Sequence, residues 1–91
     1  MEGVETTEDA IPSAEEVEKW KRNDVTNFLN DMQEVLDLDN EDIQIIAEQK
    51  ISGTAFLRLT AEKLMQDGLK RGPAETIAEL IETIRGEEQG N

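Results

Sequence analysis

Residues 51–77 (ISGTAFLRLTAEKLMQDGLKRGPAETI) constrain the fold more than any other part of the chain. They carry three sets of helix punctuation in close succession. Ser52 stands where a first turn holding Phe56, Leu57 and Leu59 would be N-capped. Thr60 stands at the N-cap of a second segment and Gly68 at its C-cap. A hydroxyl can accept a first-turn N–H, and glycine adopts the left-handed backbone that ends many helices. Gly72-Pro73 then opens a third, longer helix, because proline is preorganised for the first turn and loses no N–H needed there. The spacing predicts helices over residues 53–59, 61–67 and 73–85. In the last of these Ile77, Leu80, Ile81 and Ile84 form one apolar stripe, with Glu75, Glu79 and Glu82 opposite. Arg85 and Gly86 read as its C-terminal signals.

The upstream sequence is what such a unit needs to cover it. Val25, Phe28, Leu29 and Met32 recur at helical spacing. Trp20 lies more than a third of a turn off that stripe at about 100° per residue. A break is therefore expected around residues 21–23, with a helix starting near Asn23 or Asp24 and Trp20 acting as a core plug. Residues 35–40 read as a connection with apolar anchors. Asp39 or Asn40 then caps a helix whose buried face is Ile43, Ile46 and Ala47, with Ile45 off that face. Further back, Ser13 and Glu16 have capping-box spacing for a short turn carrying Val17. There is no strand pattern and no internal repeat. The expected fold is all-α, a compact bundle of five helices with a longer C-terminal helix.

Composition decides the kind of core and excludes several functions. The chain has 91 residues, one Trp, two Phe and no Tyr. One small domain with an aliphatic core follows, of the kind helices build by packing ridges into grooves. Net charge is −13. That opposes nucleic acid, whose phosphates require clustered Lys and Arg, and equally opposes anionic membrane surfaces. No apolar run reaches membrane length, and no signal-peptide pattern follows the first Met. With no Cys or His, thiolate and imidazole chemistry is excluded, and an intracellular setting, cytoplasmic or nuclear, is expected. Residues 1–19 hold seven acids against one Lys, so residues 1–18 read as an acidic, largely disordered tail. The domain is expected over 19–86, with a second tail over 87–91.

The ordered set of these residues resembles the sterile alpha motif (SAM) domain. Trp20, Asp24-Val25 and Phe28-Leu29 come first. Gly53, Ala55-Phe56-Leu57 and Leu59-Thr60 follow, then Leu64, Gly68-Leu69, Gly72-Pro73-Ala74 and the final apolar stripe. The resemblance runs from Trp20 to Arg85. Three departures stand out. Lys21 replaces the Ser or Thr that often follows the Trp, the second helix has no aromatic residue, and Arg71 replaces an apolar residue before the Gly-Pro.

The resemblance implies a protein–protein interaction module within a larger scaffold, signalling or regulatory protein. Such a module joins head to tail with itself, as a homo-oligomer, or with another SAM domain. It also implies two surfaces: a mid-loop surface at Asp39, Asp42, Glu48, Thr54 and Glu62, and an end-helix surface at Lys70, Arg71, Gly72, Pro73, Ala74 and Glu75. Physical chemistry supports the division. A helix start offers free N–H groups and a positive dipole end, and Lys70 and Arg71 add positive charge to it. The region of the second helix is acidic. Opposite patches steer association and set its register.

Three other readings fit the residues less well. Some SAM domains bind RNA hairpins through basic residues at this same helix start, and Lys70 and Arg71 fit. Against this, Glu75 falls where more positive charge is wanted, and residues 20–85 hold 8 bases against 13 acids. Asp37, Asp39, Glu41 and Glu48 match calcium-loop positions, but Asp42 stands where that loop needs glycine, and Ile43 and Ile46 demand helix. Phosphate loops, nucleophile elbows and metal-binding spacings are absent, so no enzyme, cofactor or metal is expected.

Overall fold

The computed structural model describes residues 11–89. Residues 1–10 of the tail expected over residues 1–18, and the last two residues of the chain, lie outside them. Seven helices occur among the described residues: α1 (Ala14–Glu18), α2 (Arg22–Asp31), α3 (Gln33–Leu36), α4 (Asn40–Glu48), α5 (Gly53–Phe56), α6 (Ala61–Asp67) and α7 (Arg71–Gln89). Five correspond to the expected helices, and the fold is all-α as predicted. The two additions are single turns with local causes. In α1 the Ser13 hydroxyl accepts the Glu16 N–H at 3.1 Å, as the capping-box spacing implied. α3 is one extra turn after α2, ended by Asp37 in the left-handed region (φ 57), where a short polar side chain is tolerated.

The expected boundary at residue 19 falls inside the packed unit. α1 packs on α7 and on α5, with Ala14 and Val17 in the core. The reason is a close approach. The Gly53 N–H donates to the Trp20 carbonyl at 3.0 Å, which draws the start of α5 onto the end of α1. A Cβ on Gly53 would collide with the Val17 carbonyl oxygen. Glycine is needed here for contact, not for an unusual φ. α2 begins one residue earlier than the nearest expected start, because the Asp24 carboxylate reaches back to accept the Lys21 N–H at 3.0 Å.

Phe56 is fully buried, with Leu29, Ile46, Leu64 and Ile77. The aromatics run outward from it. Phe28 meets Phe56 edge-on with ring centroids 6.5 Å apart, and the half-buried Trp20 lies 5.1 Å from Phe28. Trp20 thus plugs the core from its rim. Two apolar positions differ from expectation. Val35 is 73% exposed instead of anchoring the connection, because α3 turns it outward while Leu38 takes the buried place. Ala47 is exposed and Asp42 occupies the buried face beside Ile43 and Ile46.

The punctuation of residues 51–77 acts unevenly. The Thr60 hydroxyl accepts the Lys63 N–H at 3.1 Å, and Gly68 ends α6 with φ 123. Ser52 stands at the N-cap of α5 but makes no side-chain capping bond. α5 itself closes at Phe56, short of the expected Leu59. The stripe Ile77, Leu80, Ile81 and Ile84 is buried as predicted. Arg85 and Gly86 do not end the last helix. The Arg85 guanidinium donates to the Leu57 carbonyl at 3.5 Å, and α7 continues to Gln89. A helical glycine costs only about 1 kcal/mol against alanine, and the Glu-Glu-Gln that follows has good helix propensity. At about 1.5 Å per residue, 19 residues make α7 roughly 28 Å long, more than the 24 and 22 Å short dimensions of the molecule.

Candidate protein-interaction surfaces

The end-helix residues lie together at the start of α7. Lys70, Arg71, Gly72 and Glu75 are exposed and Pro73 is half-buried. Ala74 is fully buried and cannot be a contact. It falls one turn before the apolar stripe and faces the same way, which removes it from the surface. The first intrahelical bond of α7 runs from the Ala74 N–H to the Lys70 carbonyl, at 3.0 Å. Arg71 and Gly72 therefore have N–H groups with no intrahelical acceptor, and Pro73 has none to offer. The Arg71 Nε donates to Glu75 Oε2 at 3.1 Å, with side chains 80% and 52% exposed. So exposed an i,i+4 pair contributes about 0.3–0.5 kcal/mol and leaves most of the guanidinium available.

The charge at this helix start is unusual within the molecule. α2, α4 and α6 each place acid in the first turn: Asp24, then Glu41 and Asp42, then Glu62. That arrangement suits the dipole. α2 also opens on two cations, Lys21 and Arg22, but sets Asp24 against them, whereas α7 opens on Lys70 and Arg71 with no acid in its first turn. Lysine cannot accept a hydrogen bond, so Lys70 cannot cap the N–H groups it precedes.

The mid-loop residues are more scattered. Asp39 and Glu48 are exposed at opposite ends of α4, roughly 13 Å apart along its axis. Asp42 is only 7% exposed, and its Oδ2 accepts the Asp39 N–H at 3.0 Å. It caps α4 and is removed from the contact set. Glu62 is exposed in the first turn of α6, which packs on α4 and α7. Thr54 is exposed on α5, which packs on α1 and α2, and its hydroxyl donates to the Glu18 carbonyl at 3.4 Å. The surface is nevertheless strongly acidic. Residues 31–49 contain seven acids and no base.

Sequence reasoning passed over Lys50. It follows the C-cap of α4 in the left-handed conformation (φ 56), with its N–H donating to the Ala47 carbonyl at 3.1 Å. The signal was the absence of glycine between Ile46 and Ile51, where the helix had to end.

A family model described as a SAM-like domain matches residues 2–83. The chain belongs to the SAM-like domain family. The match spans nearly the whole chain and begins well before Trp20, in keeping with the packing of α1 into the domain. SAM-like domains are typically protein-interaction modules and generally non-catalytic. Comparison with curated proteins and with solved structures finds no match to either. Among the described residues no helix is long and apolar enough to cross a membrane, and no group of three acids converges on a metal-sized site.

Proposed function

We propose that this SAM-like domain associates head to tail with another copy of itself or with another SAM domain, inside the cell and as part of a larger scaffold, signalling or regulatory protein. The start of α7 carries the reading. A 19-residue helix opens on Lys70 and Arg71, without first-turn acid and with N–H groups that no side chain of residue 70 can cap. That end presents positive charge and hydrogen-bond donors to an anionic partner surface. The complementary surface is the exposed acidic one around α4, where Asp39 and Glu48 are supplemented by Glu62 on α6. Lys70, Arg71, Gly72, Pro73 and Glu75 make up the basic side. Head-to-tail contacts of this kind either close into a ring or propagate.

Size-exclusion chromatography with light scattering, on wild type and Arg71→Glu, tests this. Wild type should associate at low salt and dissociate at high salt, since exposed charges are screened over about 10 Å at 0.1 M. Arg71→Glu should associate more weakly than wild type at low salt, with the difference shrinking as salt rises. A wild-type monomer at high concentration and low salt would remove the self-association branch and leave pairing with a different SAM domain.

A further inference from the structure

Each of the two surfaces carries an exposed charge of the wrong sign at a helix end. The acidic stretch of residues 31–49 is followed directly by Lys50, exposed at the C-terminal end of α4. The basic start of α7 carries Glu75, 52% exposed, one turn from Arg71. Uniform patches would make the simpler complement. Lys50 also occupies a left-handed backbone position (φ 56) that glycine fills at lower cost. No hydrogen bond or ion pair ties its side chain to another described residue. A cation at a helix C-terminus suits the dipole, but that effect is local and independent of Glu75.

We propose that when two copies of this chain join head to tail, Glu75 of one copy turns from Arg71 to Lys50 of the second, and Arg71 takes up Glu48 beside it. The proposal rests on the self-associating form of the reading above. Glu48 and Lys50 are two residues apart at one helix end, and Arg71 and Glu75 are one turn apart at another. Two ion pairs of opposite polarity then lie side by side. Such a pattern fixes register, since a shifted contact sets Lys50 against Arg71.

The test is sedimentation velocity at low salt on the full chain, comparing wild type, Lys50→Glu, Glu75→Lys and the double variant, with melting curves to show that each is folded. Simple attraction between an acidic and a basic patch makes Lys50→Glu tighten association, and Glu75→Lys likewise. The paired register requires the opposite. Each single reversal should weaken association about two- to fivefold, the range of an exposed ion pair, and the double variant should return to within about twofold of wild type. Tightening by either single reversal, no change, or weakening without rescue overturns the pairing while leaving head-to-tail association in place. A monomeric wild type overturns the pairing and the self-association together.

Discussion

The starts of α4 and α7 solve one problem in opposite ways. Both helices begin with N–H groups that have no intrahelical acceptor. α4 satisfies its own start: Asp42 folds back onto the Asp39 N–H at 3.0 Å, is buried doing so, and shares the first turn with Glu41. α7 begins on Lys70 and Arg71, both exposed, with no acid in its first turn. The same contrast holds between the two sides of the molecule. Around α1, α2 and α5 the segments bond one another directly: the Gly53 N–H donates to the Trp20 carbonyl and the Thr54 hydroxyl to the Glu18 carbonyl. At the α7 start the donors point outward. A chain with a small core gains from every cap, and α7 begins against its own dipole; the head-to-tail contact proposed above would place a partner's acids at that start.

The largest expected effect is on the closed side. Gly53→Ala places a Cβ against the Val17 carbonyl, and moving α1 off α5 should cost about 3 kcal/mol, read from the urea midpoint. A loss under a few tenths would mean that α1 is not held in the core at all. Next, Asp42→Ala should cost about 1–2 kcal/mol in the same measurement, because the Asp39 N–H loses its acceptor, and should leave association untouched. A change in association at unchanged stability would return Asp42 to the contact surface.

The third prediction inverts the comparison. Lys70→Asp gives α7 an acid at its N-cap position, where α4 has Asp39. It should raise stability by about 1 kcal/mol and weaken association. Lower stability together with retained binding would show that the cations serve the fold. The smallest effect belongs to Glu75→Ala, which breaks a pair between side chains 80% and 52% exposed and should shift unfolding by less than about 0.5 kcal/mol.

Much of the fold can be read in local sequence. Thr60 and Gly68 bound α6 because capping and left-handed termination are decided within a few residues. The stripe from Ile77 to Ile84 is buried because one helical period places those side chains on one face. Ala74 could have been assigned by extending that same stripe back one turn. Asp42 could not be assigned in the same way, since an acid three residues after an Asp reads equally well as a surface charge or a reciprocal cap. Val35 was also ambiguous, because a single apolar residue in a connection has no period to place it.

Residues 51–77 show where sequence stops and tertiary structure begins. Sequence alone determined an all-helical domain with short segments in this order, an aliphatic core and a cationic start to the last helix. Each of these depends on residue type and on spacing within a turn or two. Tertiary structure decided that α1 belongs to the core, that Gly53 is needed for contact, and that Asp42 and Ala74 are withdrawn from the surface. Those outcomes depend on which segments approach one another. The approach of Gly53 to Val17 and Trp20 joins residues more than 30 positions apart, which no local pattern records.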